Sequence, residues 1–245
     1  MRNGQNYRWW EFVLRAAAIV GVTVWYGALF LLRRALGAPP SLSYTIFPRW
    51  AGAVLRAAGI RVHVRGTEYL NPGCSYIFIA NHASLFDIPV VLVASPLPVR
   101  IMYKRELEHI PFLGWALRAS PFIAVERQRP QTAGKTVHRI LETLDHDPAA
   151  LLIFPEGTRS RTGAVGEFRR GAFTIAFASK RQVVPIALRG TGKLLPPDTL
   201  RFHGGEVTIE FLPPVTPPSF QTRAQERQWI ADLRDLIARA VACTQ

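Results

Sequence analysis

Beyond Gly59 the chain falls into a rhythm that few architectures satisfy: short runs rich in β-branched and aromatic residues alternate with segments of helical spacing. The β-rich runs cover Ile60–Arg65, Ser75–Ala80, Val99–Tyr103, Phe122–Val125, Ala150–Phe154, Val183–Leu188 and Val207–Phe211. Helical patterns fall between them at about Ile88–Ala94, Phe112–Ala119, Thr132–Leu144 and Gly171–Ala178. A strand that returns to its sheet through a helix runs parallel to the strand before it. The expected fold is therefore α/β, a mixed, mostly parallel sheet flanked by helices. A last helix at about Ala224–Ala240 carries Thr222 and Gln225 at capping-box spacing and an apolar stripe through Trp229, Leu233 and Leu236 or Ile237, read as core packing. Pro196-Pro197 and the prolines from 213 to 218 mark loops.

With 245 residues, the chain has room for one such domain, placed at 60–245, and an appendage at 1–59. The appendage is dominated by Ala16 to Leu32, 17 residues without a charge, bracketed by Arg15 and by Arg33 and Arg34. As a helix this stretch measures about 25 Å, slightly less than a bilayer's hydrocarbon core. Trp9, Trp10, Trp25 and Tyr26 are residue types that anchor at lipid interfaces. A secretory signal fits poorly, because Glu11 and Arg15 interrupt its front and Arg33 and Arg34 stand where a small-residue cleavage site should follow. Positive charge on both flanks gives no orientation by the positive-inside rule. A membrane-associated helical hairpin keeps both flanks on one side: Gly37-Ala38-Pro39-Pro40 supplies the break, and an amphipathic segment follows from about Tyr44 to Ala58. Half-insertion from the cytoplasmic face of the inner (plasma) membrane is the expected arrangement, and a single spanning helix is the alternative.

The net charge of +13 calls for a polyanionic partner: nucleic acid, anionic headgroups or phosphorylated substrates. No RNP-like, helix-turn-helix or finger pattern supports nucleic acid, and few aromatics are interleaved with the basic residues of the globular part. Cys74 and Cys243 stand far apart, so neither a disulfide framework nor a zinc site is indicated.

Asn81-His82-Ala83-Ser84-Leu85-Phe86-Asp87 follows directly on the apolar strand Tyr76 to Ala80. On a continuous helix His82 and Asp87 would stand about 140° apart, so they meet only if the chain turns between them. With His82 in a loop and Asp87 in the first turn of the next helix, the carboxylate also complements the helix dipole. It can then hold one imidazole nitrogen and leave the other free as a base. Such a pair has no Ser or Cys nucleophile of its own and suits activation of a substrate hydroxyl. The alternative is structural, since Ser84-x-x-Asp87 also reads as a capping box.

A second cluster, Phe154-Pro155-Glu156-Gly157-Thr158-Arg159-Ser160, follows the apolar run Leu151 to Phe154. Gly157 permits a tight turn, and Arg159 offers a planar fork for phosphate or carboxylate. Arg161, Arg169 and Arg170 add positive charge nearby.

Together the two clusters resemble the glycerolipid acyltransferases, in particular the 1-acyl-sn-glycerol-3-phosphate acyltransferases: an HxxxxD box at His82 to Asp87 and an FPEGTRS box at Phe154 to Ser160. The resemblance covers about residues 60 to 190, and includes Phe122 to Arg127 as a second block and Val183 to Ala187 as a fourth. The second block departs from the family's pattern at Pro121, where glycine is common, and at Glu126, where aspartate is usual. Lys104 to Leu107 with Pro111, Gly114 and Trp115 is similar to the family's intervening segment, which would help shape the acyl pocket; a plain amphipathic helix is the alternative.

The resemblance implies direct transfer of a fatty acyl group from acyl-CoA or acyl carrier protein to the sn-2 hydroxyl of 1-acyl-sn-glycerol-3-phosphate, giving phosphatidic acid. On that implication His82 is the base, Asp87 orients it, and Glu156, Gly157, Thr158 and Arg159 hold the acceptor, with Arg159 and Arg127 on its phosphate. Glu156 cannot contact an anion favourably, so it is expected to orient Arg159 or a glycerol hydroxyl. No metal and no cofactor beyond the donor substrate is called for. Partners are then the lysophospholipid, the acyl thioester and the membrane. Transfer to another lysolipid, such as lyso-ornithine lipid, is the alternative within the class; a basic membrane-binding protein without catalysis is the alternative outside it.

Overall fold

The computed structural model describes residues 9–125, 133–145 and 147–243. It opens with two helices, α1 (Trp9–Ala35) and α2 (Ser43–Ala58), joined by a turn in which Gly37 takes a left-handed φ of 88°. They run antiparallel: Phe30 meets Phe47, Trp50 Nε1 donates to Thr23 Oγ1, and Arg15 donates to the Ala58 carbonyl. The uncharged core of α1 thus extends by helix at both ends, and α1 is long and apolar enough to cross a membrane by length and composition.

The α/β part then alternates β1 (Ile60–Arg65), β2 (Tyr76–Ala80), α3 (Asp87–Ala94), β3 (Val99–Lys104), α4 (Leu113–Ala119) and β4 (Ile123–Val125). It continues through α5 (Ala133–Asp145), β5 (Ala150–Ile153), α6 (Arg170–Ser179), β6 (Gln182–Arg189), the single turn α7 (Thr191–Leu194), β7 (Gly205–Phe211) and α8 (Arg223–Ala242). Every strand expected from the sequence is present, and β1 has the expected bounds. The box at the start of α8 forms in full, with Thr222 and Gln225 each bonding the other's end of the turn.

The strands make one 7-stranded sheet in the order β1-β7-β6-β2-β5-β3-β4. Its pairings are parallel except for β6 against β7. Alternate residues of β2 serve opposite faces, as the pleat requires. Tyr76, Phe78 and Ala80 pack with α1 to α4, whereas Ile77 and Ile79 pack with α5, α6 and α8. All five residues of β2 are buried, which is why this strand reads as a continuous apolar run rather than an alternating one. On α8 the buried stripe is Ile230, Leu233 and Ile237, with Trp229 packed at its edge.

The hairpin shares its core with the sheet, since Phe30, Ile46, Phe47 and Val54 belong to the same cluster as Phe78 and Leu152. A buried ion pair adds to this seam: Arg100 of β3 is 2% exposed and bonds Asp147, which also accepts from the Tyr44 hydroxyl of α2. Close to that seam, Gly27 of α1 lets Phe112 approach so closely that a Cβ would lie 3.0 Å from the Phe112 Cβ.

Parallel pairing decides where chemistry can gather. β2 and β5 are adjacent and parallel, Ile79 opposite Ile153, so the loops that follow them leave from the same edge of the sheet. Carboxyl ends of parallel strands are where open α/β sheets bind ligands.

Candidate active site

β2 ends at Ala80, and Asn81 replaces the next strand residue with its side chain. Its Nδ2 donates to the Leu188 carbonyl at 2.9 Å, and its Oδ1 accepts from the Leu188 N–H at 2.7 Å. This two-point clasp on β6 fixes the place where the main chain leaves the sheet. Sequence reasoning gave Asn81 no role; the available signal was a polar residue, 3% exposed, closing an otherwise apolar strand.

His82 follows in the loop, and the turn brings Asp87, first residue of α3, back beneath it. Asp87 is fully buried, and its Oδ2 takes three donors: His82 Nδ1 at 2.8 Å, Ala83 N–H at 2.7 Å and Ser84 N–H at 2.8 Å. Two main-chain N–H groups converge on that oxygen, so it is an acceptor and Nδ1 must carry the proton. The tautomer follows: Nε2 presents a lone pair, and no described residue hydrogen-bonds it. The imidazole also stacks on Phe154, with ring centroids 4.2 Å apart and planes 20° apart, and its side chain remains 14% exposed. Phe154 stood in the second motif without an assigned role. Its position at the end of β5 puts it against the neighbouring strand's loop.

Half of the capping box at Ser84 is real. The Asp87 carboxylate accepts the Ser84 N–H, but the Ser84 hydroxyl accepts from Phe86 N–H at 3.3 Å and donates to the Leu195 carbonyl at 3.0 Å. α7 backs this loop tightly, and a Cβ on Gly192 would lie 3.0 Å from that of Ala83.

The second block closes over the same histidine. Gly157 makes the turn at φ 73°, with its N–H on the Phe154 carbonyl at 3.2 Å. Ser160 N–H donates to the His82 carbonyl at 2.7 Å, and Glu156 Oε1 accepts the His82 N–H at 2.8 Å. The other carboxylate oxygen of Glu156 accepts from Gly166 N–H at 3.0 Å. Of the two roles expected of Glu156 from its charge, orienting Arg159 or a glycerol hydroxyl, the first is not what its carboxylate does: both oxygens accept main-chain N–H groups. Only 6% exposed, it has turned to nearby main-chain donors. Burial pushes its carboxyl above the ordinary value, and the two N–H groups oppose that shift only in part.

Thr158 is exposed and Arg159 half-buried, and neither makes a hydrogen bond or ion pair among the described residues. The positive field around them is thinner than the sequence implied, because Arg161 pairs with Asp198 at 3.2 Å and Arg170 with Glu226 at 3.0 Å. Arg169 has no such acid partner among the described residues, and its guanidinium lies beside Gly157. The expected contribution of Arg127, and the departure at Glu126, lie outside the described residues.

The structure thus holds a proton acceptor fixed in one tautomer on one loop and, on the loop from the adjacent strand, an arginine that pairs with no described residue. That arrangement can deprotonate a hydroxyl on a molecule whose anionic group the arginine holds.

Comparison with known proteins gives a family and a fold. The family model described as Acyltransferase matches residues 61–189. The 1-acyl-sn-glycerol-3-phosphate acyltransferase of Saccharomyces cerevisiae is 34% identical over 160 residues, 64% of this chain and 52% of that protein. The human 1-acyl-sn-glycerol-3-phosphate acyltransferase alpha is 31% identical over 157 residues, 64% of this chain and 56% of that protein. The chain thus spans about half the length of these curated relatives. The crystal structure of the 1-acyl-sn-glycerophosphate acyltransferase from Thermotoga maritima superposes with a TM-score of 0.79 at 22% identity, covering 96% of this chain and 97% of that one, which establishes a shared fold.

Proposed function

The chain belongs to the acyltransferase family, and from that premise we propose that it transfers a fatty acyl group from a thioester donor to the sn-2 hydroxyl of 1-acyl-sn-glycerol-3-phosphate, giving phosphatidic acid. The observation that carries this reading is the His82–Asp87 pair, with Nε2 and the Arg159 guanidinium on the adjoining loop both without a partner among the described residues. The curated relatives bearing the same activity in their names supply the acceptor.

In the proposed reaction His82 Nε2 removes the hydroxyl proton as the oxygen attacks the thioester carbonyl. Asp87 then stabilises the imidazolium through Nδ1–H. Collapse of the tetrahedral intermediate forms the ester and releases the thiol, which takes the proton back from His82. A thiolate leaves readily, so the reading invokes no metal and no cofactor beyond the donor, which is acyl-CoA or an acyl carrier protein. Arg159 holds the acceptor phosphate, with a bidentate fork suited to that group. Gly157 and Thr158 form the wall beside it. Glu156 acts on the protein's side of the site rather than on the acceptor.

We further propose that the protein works half-inserted in a membrane, on the cytoplasmic face. α1 buries one side against α2 and α4 and turns the other outward with Trp9, Leu14, Val20 and Trp25 each more than 60% exposed. Arg15 bonds the Ala58 carbonyl at the end of α2, which ties the amino-terminal part of α1 to the point where the chain enters the α/β part.

The test is acyl transfer with purified protein, lysophosphatidic acid or lyso-ornithine lipid as acceptor, and one acyl donor. The expected result is turnover of lysophosphatidic acid that vanishes in His82→Ala. Turnover of lyso-ornithine lipid alone would move the protein to another acceptor, and liposome binding with no transfer to either would remove catalysis altogether.

A further inference from the structure

Two features of the loop between β5 and α6 have no part in the reaction just described. Gly166 supplies the second N–H to Glu156, and a Cβ at Gly166 would lie 2.8 Å from Glu156 Oε2. Arg234, near the middle of α8, then fixes this stretch of loop: its Nε donates to the Gly166 carbonyl at 3.1 Å and its Nη2 to the Val165 carbonyl at 3.1 Å. Its third nitrogen pairs with Asp235 at 2.7 Å. The carbonyls of residues 165 and 166 thus sit in one guanidinium fork, and the N–H of residue 166 points at a buried carboxylate.

From there the connection to the base is a single residue. Glu156 is shared between Gly166 N–H and His82 N–H, and the carbonyl of His82 is held by Ser160 N–H from the same loop. The His82 peptide is therefore gripped on both sides by a loop whose far end is fastened to α8. We propose that Arg234 and Gly166 are positioning residues, which set the backbone of His82 through Glu156 and so hold Nε2 where the acceptor hydroxyl must be met. This rests on the reading of His82 as the base. A displacement of about 1 Å in a reacting group can lower a rate by as much as about a hundredfold, so a device for holding this peptide has a function to serve.

The same helix carries its own control. Glu226 accepts from Arg170 of α6 at 3.0 and 3.1 Å, a tether of α8 that does not touch residues 165 and 166. General loosening of α8 should follow from Glu226→Gln as readily as from Arg234→Met. Only the second releases the loop. Gly166→Ala supplies an independent perturbation, because it removes no bond donor and only pushes the Glu156 carboxylate aside.

The experiment reads the imidazole Nδ1–H proton of His82 by 1H–15N NMR in detergent micelles, beside steady-state kinetics with lysophosphatidic acid. The wild type should show a downfield, exchange-protected signal that His82→Ala lacks. Arg234→Met and Gly166→Ala should shift or broaden it and lower kcat at least about fivefold with KM within about twofold, while Glu226→Gln leaves both unchanged. Arg234→Lys, which can still reach a carbonyl, should recover part of the loss. A wild type without the signal overturns the proposal, and so do Arg234→Met and Gly166→Ala variants that keep the wild-type signal and kcat, or a Glu226→Gln variant that matches their losses. Should the wild type show the signal and transfer nothing, it is the assigned activity that fails, and the signal alone then judges the positioning.

Discussion

Two loops meet at His82, and they treat their polar groups in opposite ways. In the loop after β2, Asn81, Ser84 and Asp87 are buried and turn inward, onto Leu188, Leu195 and the loop's own N–H groups. In the loop after β5, Thr158 and Arg159 have no partner among the described residues. A buried polar group must be satisfied by the protein, whereas one at the rim can wait for a ligand. The first loop therefore prepares an atom and the second prepares a place. Changes in the first loop, and in the Glu156 and Gly166 contacts that hold it, should act on kcat, and changes at the rim of the second, at Thr158 and Arg159, on KM.

The largest effect belongs to His82. A positioned general base contributes about 10²–10⁴-fold, so His82→Ala should bring kcat to or below detection. The substitution leaves the Asp87 carboxylate with its two main-chain donors, so the thermal midpoint should stay within a few degrees of the wild type. A variant retaining more than about a tenth of the wild-type kcat would remove the contrast between the loops.

Asp87→Asn comes next. The amide oxygen can still accept from Ala83 and Ser84, but it cannot stabilise an imidazolium, and its NH2 would face the buried position where Oδ1 has no partner among the described residues. We expect kcat to fall by about a hundredfold or more with little change in KM. Rapid-quench measurement of a single turnover would separate this loss from slow product release.

How far these residues could be read from the sequence follows the same division. Local pattern was enough for the strands, for the turn that joins His82 to Asp87 and for the box that starts α8, because each is decided within a few residues. It was not enough for the Asn81 clasp, which spans 107 positions to Leu188, or for Arg234, which reaches back 68 to Gly166. Glu156 was misread for a related reason. Its charge suggested an arginine or a sugar hydroxyl, but burial beside two free main-chain N–H groups decided the matter, and burial depends on how β2 and β5 pair.

Arg159→Ala tests the other side of the comparison. A hydrogen bond to a charged group is worth about 1.5–3 kcal/mol, so KM for a phosphate-bearing acceptor should rise roughly tenfold to a hundredfold. kcat at saturating acceptor should change much less. The discriminating measurement repeats the assay with an acceptor lacking the phosphate, for which the substitution should make little difference. Equal losses for both acceptors would show that Arg159 shapes the loop instead of binding the anion.

Glu156 gives the smallest effect and the sharpest division, because it belongs to the second loop by sequence and to the first by its bonds. Burial raises its pKa above the ordinary 4.5, so the folded chain holds that proton more tightly than the unfolded one. The associated stability is then fully present below the unfolded value and is lost as pH rises through the folded one. Glutamine cannot ionise and lacks this dependence. Urea unfolding of wild type and Glu156→Gln should show the wild type's relative stability declining from about pH 4 toward neutrality. The change should stay well under the ~3 kcal/mol at the top of the range for a charged hydrogen bond. A gap that instead grew with pH would mean that the ionised carboxylate is better off inside the fold than in water. Glu156 would then match Asp87 as a buried acceptor held by its donors, and the division between the loops would have to be drawn after Glu156 rather than before it.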